Sequence, residues 1–420
     1  MKPRILIAMH YLELGGAECA LIGLLSAIDT RRVDVDLFLY DHRGELLSYI
    51  PPNVNLLPAI PSYTMLERPI VELIKNRFWR LAVARLWAKW ITHISKHKNV
   101  QHLDDASCFF NMSRITTPIL PQINPDVEYD LAVSFLTPHH IVLDKVRARK
   151  KVAWVHTDYT NIYIDAAMEL QMWTKYDNIV AISAEAAEKF VQIFPSLTSK
   201  MVTIENILPT DMIRKRAEKF IPKDMPTHKR ETILLSIGRY SNPKRFDEIP
   251  TICKRLRQLL PDYNIRWYII GYGADEALIS QRILYEGMQK HVILLGKRSN
   301  PYPYIKACDI YIQPSRYEGK SITVREAQIL CKPIVITNYP TAKDQLINGV
   351  DGIIVPMEIN ACADGIANVI RDKNLKKCLC SYLHVHDYGK KSEIEKFYAL
   401  LPENSSQGPQ ISRLITTNQE

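Results

Sequence analysis

The chain opens on an unbroken apolar run, Arg4-Ile-Leu-Ile-Ala-Met9. Gly15-Gly16 follows, and apolar residues at helical spacing continue over 17–28. A continuous run suits a parallel strand covered on both faces, whereas a half-solvated strand alternates. Val33–Tyr40 is the next such run, and the strand, turn, helix, strand succession predicts a doubly wound α/β sheet. Leu131–Phe135, Lys151–His156 and Asn178–Ser183 extend it, and Ser183 before Ala184-Glu-Ala-Ala-Glu188 reads as a helix N-cap. From Leu208-Pro209-Thr210 the texture turns polar and basic, with Pro222 and Pro226. Then the rhythm restarts. Thr232–Ile237, Ile265–Ile270 and His291–Leu295 run into Gly238, Gly271 and Gly296, and Ile310–Pro314 and Pro333–Thr337 follow. The pattern predicts two Rossmann-like α/β domains facing each other across a cleft: residues 1–210, a linker at 211–230, and residues 231–401. The polar tail, 402–420, is expected to be disordered.

Length and composition agree with this. The chain has 420 residues, 47 % hydrophobic and 24 % charged, enough for two cores. No apolar run reaches the 18 residues that suggest a membrane span. The N-terminus lacks the long apolar segment and cleavage site of a signal peptide. The eight cysteines show no CxxC pair, so reduced thiols and a cytoplasmic location are expected. The net charge of +9 lies wholly in the second half: residues 1–210 carry 22 basic and 22 acidic side chains. A basic half suits a phosphorylated ligand or an anionic surface. No zinc-finger, RNP-like or basic-zipper pattern accompanies it, so nucleic acid is not an expected partner.

Of only 15 glycines, none falls between Gly44 and Gly238, and Gly15, Gly16, Gly238, Gly271, Gly273, Gly296 and Gly319 sit at or near predicted strand-to-helix turns. Ligands of open parallel sheets lie beyond those strand ends. Gly15-Gly16 is not GxGxxG, yet a helix N-terminus there offers free amides to an anion or sugar. Glu18, one turn in, reads as a partner of the helix dipole. Gly238-Arg239 and Lys244 place two cations just past a strand end. There a planar fork and a mobile point charge suit a bound phosphate; residue types alone favour a plain basic loop, and Gly238 at the strand end turns the reading toward phosphate. In Glu318-Gly319-Lys320-Ser321-Ile322-Thr323-Val324-Arg325-Glu326, two carboxylates flank a segment entering a helix. On one helix they would lie close to the same face and could accept sugar or ribose hydroxyls. Seen alone, such a pair is more often a solvated helix face.

With these residues in view, the chain resembles a GT-B fold retaining glycosyltransferase of family GT4 (glycosyl transferases group 1). The paired glutamates, Pro314-Ser-Arg-Tyr-Glu-Gly319 and Glu326-Ala-Gln carry the resemblance. It covers most of residues 1–400, strongly from about 230 to 356 and weakly from 45 to 125. It implies an acceptor-binding N-terminal domain and a nucleotide-sugar-binding C-terminal domain. The donor would be a nucleotide diphosphate sugar, UDP- ahead of GDP-sugar. The acceptor would be a hydroxyl of a glycan or lipid-linked molecule in surface polysaccharide biosynthesis. Glu326 would bind the ribose and Glu318 would sit near the donor sugar. Arg239 and Lys244 would hold the diphosphate, with the Gly15-Gly16 loop against it. His156, in Trp154-Val-His-Thr-Asp158, falls where the family keeps a histidine on the donor sugar; His139 and His140 are rivals, and a lone histidine is usually structural. Gly271, Gly273, Gly296 and Lys297 would approach the nucleotide, and Asn206 resembles a domain-junction position. No cofactor is implied. A nucleotide-sugar epimerase of the same fold and a non-catalytic sugar-nucleotide-binding subunit are the alternatives.

Asp34-Val-Asp36 matches a DxD metal motif but starts a strand rather than ending one. Both aspartates are expected to face solvent, and no obligatory metal is expected. Residues 71–100, within a basic, aromatic insertion at about 65–115, carry seven cations against Glu72. With Phe78, Trp79, Trp87 and Trp90 they suit an anionic membrane surface, making a peripheral location possible. The charges scatter on a helical wheel, so a helix packed on its own domain competes.

Overall fold

The computed structural model describes residues 2–13, 15–95, 104–105, 107–225 and 231–402. The predicted tail at 402–420, apart from Pro402, and part of the predicted linker and insertion lie outside them. The chain forms two compact units. One comprises the described parts of Met1–Glu13, Ile28–Glu205 and Ser392–Glu420; the other those of Leu14–Ala27 and Asn206–Lys391.

The N-terminal unit holds a seven-stranded sheet in the order Asn55–Leu56, Asp34–Leu39, Arg4–Met9, Tyr129–Ser134, Ala148–Val155, Asn178–Ala181, Met201–Thr203. Every pairing in it is parallel, as Ile5 beside both Val35 and Leu131 illustrates. Ile5 through Met9 are fully buried, so the apolar run is explained by cover on both faces. Ser183 caps helix Ala184–Ile193 by accepting the Ala186 amide at 3.1 Å, as its residue type predicts.

The C-terminal unit repeats the plan with six parallel strands, ordered Val292–Gly296, Asn264–Ile270, Glu231–Ile237, Ile310–Gln313, Ile334–Thr337, Ile353–Val355. Its core closes around Trp267, Leu234, Ile312, Leu256 and Ile366. In each unit the first strand of the chain sits centrally and the order reverses beside it. That reversal opens a crevice at the carboxyl ends of the first and fourth strands.

Two segments differ from the expectation. Residues 211–230, read as a linker, begin inside an α-helix, Thr210–Ala217, whose Met212, Ile213, Arg216 and Ala217 are buried. Helix Gly16–Ala27 groups with the C-terminal unit rather than with the strand before it in sequence. It packs closely there at Gly23, where a Cβ would stand 1.9 Å from the Ile207 carbonyl oxygen.

The insertion forms helices Ile70–Lys75, Trp79–Ser95 and Ser107–Thr116. Leu73, Leu81 and Ala82 form its small core, with Leu66, Ile70 and Phe78 packed against them. Among the described residues no helix is long and apolar enough to cross a membrane.

Candidate active site

At the carboxyl ends of the first three strands of the C-terminal unit, backbone hydrogen bonds lock successive turns together. The Gly238 amide donates to Ile270 at 3.0 Å, that of Tyr240 to Tyr272 at 2.8 Å, and that of Gly271 to Gly296 at 3.1 Å. Gly271 has φ +155° and a Cβ there would meet the Gly238 oxygen at 1.9 Å, so no side chain fits. At Gly273 a Cβ would meet the Tyr240 oxygen at 2.3 Å, and Lys297 places its ammonium 5.3 Å from the Tyr272 ring centre.

These turns place the two cations at the strand end. Arg239 is exposed and has no ion-pair partner among the described residues. Lys244 lays its stem over Gly238, where a Cβ would come within 3.3 Å of its Cδ. The Lys244 Nζ reaches both oxygens of Glu318, at 2.6 and 2.8 Å.

Glu318 stands just beyond strand Ile310–Gln313 and is 7 % exposed. Its Oε1 also accepts from Ser315 Oγ at 2.6 Å and Gln313 Nε2 at 3.0 Å, and Tyr311 orients Gln313 through a 2.7 Å bond to its amide oxygen. Helix Ile322–Ile329 starts only after Glu318, so the expected sharing of a helix face with Glu326 does not occur. Nor is either glutamate on a solvated face: Glu326 is 5 % exposed. Ser321 is the helix N-cap, its amide donating to Gln345 at 2.7 Å. Gly319 is exposed with nothing within 4 Å of a notional Cβ, and Lys320 is half-buried.

Glu326 lies in a pocket of different character. The Tyr302 hydroxyl donates to it at 2.9 Å, Cys19 Sγ lies 3.8 Å from that hydroxyl, and the Arg216 guanidinium is 5.4 Å from the Tyr302 ring centre. Burial pushes the Glu326 carboxyl up to about 7, against the opposing pull of the Tyr302 bond and the Arg216 charge. Helix Gly16–Ala27 brings Cys19 here and sets Gly16 against Ile322, 2.8 Å from a notional Cβ. The Glu18 carboxylate folds onto Gly15, with Oε2 2.1 Å from a notional Cβ. The structure thus gathers Gly16, Ile322 and Glu326 within one unit, and Lys244 with Glu318. Asn206 offers its carbonyl to Arg325 at 3.2 Å.

His156 follows strand Ala148–Val155 in the N-terminal unit, its ring 4.9 Å from that of Phe135. It lines a cavity of about 300 Å³ with both rivals, His139 and His140. Burial holds all three rings neutral, pushing His156 and His140 down to about 4 and His139 to about 3. His139 and His140 are engaged through Nδ1 by Ser134 at 2.8 Å and Ser113 at 2.9 Å. The His156 Nε2 is buried and finds no hydrogen-bond partner among the described residues, which sets it apart from the other two.

Sequence reasoning missed Tyr302, Arg216 and Gln313, and gave Ser315 no role beyond its place in the motif. Gln313 carried a signal, a polar residue ending an apolar strand; Arg216 lay in the stretch read as linker. Asp36 also departs from expectation. It is 6 % exposed, not solvated, and accepts from Tyr129 at 2.6 Å and Asn55 at 2.6 Å, with Arg4 at 3.4 Å. An interior strand position forces it to find these donors, while Asp34 at the strand start stays exposed. Among the described residues no three His, Cys, Asp or Glu side chains converge as a metal site would need.

This is the architecture of a GT-B protein, and the comparisons with known proteins agree. Residues 217–382 match the family model described as Glycosyl transferases group 1. The chain is similar to an uncharacterized glycosyltransferase of Methanocaldococcus jannaschii, 23 % identical over 47 % of this chain and 50 % of that one. It is also similar to a Campylobacter jejuni 4-alpha-N-acetylgalactosaminyltransferase whose name specifies a diphospho-undecaprenol-linked sugar, 23 % identical over 49 % of this chain and 54 % of that one. The chain spans about half the length of such curated relatives. Among solved structures, Anabaena HepE in complex with UDP matches at TM-score 0.58 and 17 % identity, covering 95 % of this chain and 98 % of that one. Staphylococcus aureus TarM, also bound to UDP, matches at TM-score 0.63 and 13 % identity, covering 95 % and 99 %.

Proposed function

We propose that the chain is a retaining glycosyltransferase that moves a sugar from a nucleotide diphosphate sugar to a hydroxyl of a glycan or lipid-linked acceptor, in surface polysaccharide assembly. The observation that carries this reading is the part-buried Lys244–Glu318 pair where the strand order reverses in the C-terminal sheet, with Arg239, which has no ion-pair partner among the described residues, on the same turn as Lys244. Charge grows on the β-phosphate as the glycosidic bond breaks. Lys244, held beforehand by Glu318, and Arg239 beside it stabilise that charge more in the transition state than in the ground state.

In this reading the C-terminal unit binds the donor. Glu326 accepts the ribose hydroxyls, displacing or sharing the Tyr302 bond, and Glu318 positions the donor sugar. Helix Ile322–Ile329 turns its free amides, behind the open backbone of Gly319, toward the diphosphate. The N-terminal unit takes the acceptor. The departing phosphate oxygen accepts the acceptor's proton, so the chain needs no carboxylate nucleophile. UDP is favoured as carrier because the HepE and TarM structures hold it. Transfer proceeds without a metal in this reading; the engagement of Asp36 by Tyr129 and Asn55 supports a structural role for that aspartate. The site of action is the cytoplasmic face of the cell membrane.

The test is product analysis with UDP-sugars, with and without an acceptor, in the presence of EDTA, the anomeric configuration being read by NMR. Acceptor-dependent transfer with retention and EDTA resistance is expected. Inversion, a strict metal requirement, or an epimerised sugar formed from donor alone would overturn the assignment.

A further inference from the structure

We infer that helix Trp79–Ser95 is an interfacial anchor that lays the N-terminal unit on an anionic lipid bilayer. Trp79, Val83, Leu86, Trp87, Trp90 and Ile94 are each more than half exposed, from 52 % at Leu86 to 65 % at Val83. At 3.6 residues per turn these six positions fall within about 100° of arc, a single stripe along the helix. The opposite side is spent on the protein itself: Leu81, Ala82, Ala84, Arg85, Ala88 and Thr92 are buried. Apolar side chains exposed singly are ordinary, but a contiguous stripe of six marks an interaction surface.

The chemistry of the stripe selects its occupant. Three of the six side chains are tryptophans, which favour the headgroup level, and Trp87 and Trp90 pack together at 5.0 Å. Exposed Arg80 borders the stripe on one side, and exposed Lys89 and His93 border it on the other. There their stems can follow the apolar face while their heads reach lipid phosphates. Over residues 71–95 five cations stand against the single carboxylate Glu72. A two-fold contact with a second copy would bring these cations together with almost no carboxylate to pair them. An anionic bilayer complements both the apolar stripe and its basic edges.

The anchor also fits what lies behind it. Arg85, from the inward side of the helix, lines a cavity of about 560 Å³ with His10, Tyr40, Tyr63 and Glu67. Phe109, on the adjoining helix Ser107–Thr116, borders the same cavity and is 69 % exposed. Lying on the bilayer would bring this cavity to headgroup level, where a lipid-linked acceptor presents its polar end. That last step rests on the glycosyl-transfer reading; the docking itself does not.

The test is sedimentation of the full chain with vesicles of equal parts phosphatidylcholine and phosphatidylglycerol, against vesicles of phosphatidylcholine alone. Wild type should bind the anionic vesicles and release as salt rises. Arg80→Gln and Lys89→Gln should each weaken binding about fivefold, and Trp87→Ser with Trp90→Ser more than tenfold. Circular dichroism spectra and melting temperatures should match wild type in these variants, which shows that they fold. Equal binding by wild type and variants, or no binding by wild type, would overturn the anchor. A dimer that the tryptophan variant dissociates would overturn it too, by assigning the stripe to a second copy. Vesicle binding without any sugar transfer would leave the anchor standing and remove the enzyme assignment instead.

Discussion

Lys244 and Glu318, 74 residues apart, form a bidentate pair with the ammonium 2.6 and 2.8 Å from the two carboxylate oxygens. Lys244 therefore has a partner inside the protein as well as a proposed one in the ligand. Truncating it leaves Glu318 buried with only Ser315 and Gln313 as donors. Lys244→Ala should cost about 1–3 kcal/mol of stability. Adding Glu318→Gln should recover part of that loss, because an amide tolerates the site without a cation. Thermal unfolding of the two single variants and the double variant closes the cycle; strictly additive losses would show that the pair is uncoupled.

Arg239 is the cleaner probe of phosphate binding because nothing in the described structure depends on its charge. Arg239→Ala should leave the melting temperature unchanged and weaken UDP binding about ten- to hundredfold. Glu318→Gln should do the opposite in titration: UDP still binds, while kcat and kcat/KM fall together, since its work is on the sugar during transfer. Calorimetric titration of both variants with UDP, beside steady-state kinetics, separates these roles. An Arg239→Ala protein that binds UDP like wild type would remove that residue from the site.

The glycines divide into two kinds that the same substitution should distinguish. Gly271→Ala forces a Cβ to within 1.9 Å of the Gly238 oxygen at φ +155° and should lower stability by more than about 1 kcal/mol. Gly319→Ala meets nothing within 4 Å and should unfold like wild type. If the donor passes close to that backbone, Gly319→Ala should nonetheless raise the KM for donor. Normal kinetics in a normally stable Gly319→Ala protein would show that the ligand does not approach there.

The sheets were legible in the sequence because parallel strands buried on both faces have to be continuous apolar runs, as Arg4–Met9 and Asn264–Ile270 are. Strands of two or three residues at or near the edges, Asn55–Leu56 and Ile353–Val355, carry too little pattern to be seen. Lys244 and Glu318 were legible as chemistry because each follows a strand end. Their pairing was not legible, since it depends on which two strands are neighbours. Tyr302 and Arg216 left no signal: both reach Glu326 through tertiary packing of helices whose role no local pattern states. The stripe on Trp79–Ser95 was hidden because Leu81, Ala82, Ala84 and Ala88 make the opposite face apolar as well. Only packing shows which face is free.

Glu326 leads to a pH dependence with a definite sign. Burial raises its carboxyl from the ordinary value of 4.5 to about 7, so the folded chain holds a proton that the unfolded chain has released. Between those values the unfolded state binds fewer protons, and Glu326 makes the empty protein less stable as pH rises from 4.5 toward about 7. Ribose hydroxyls donate to a carboxylate, so the ligand selects the ionised form. If it binds only that form, UDP affinity should rise about tenfold from roughly pH 6 to roughly pH 8. Glu326→Gln should bind UDP more weakly and lose this slope, and Tyr302→Phe, which removes a donor that favours the carboxylate, should move the midpoint upward. Titrations of UDP across this range in the three proteins measure all of it. A wild-type slope that persists unchanged in Glu326→Gln would assign the proton to another group and take the ribose away from Glu326.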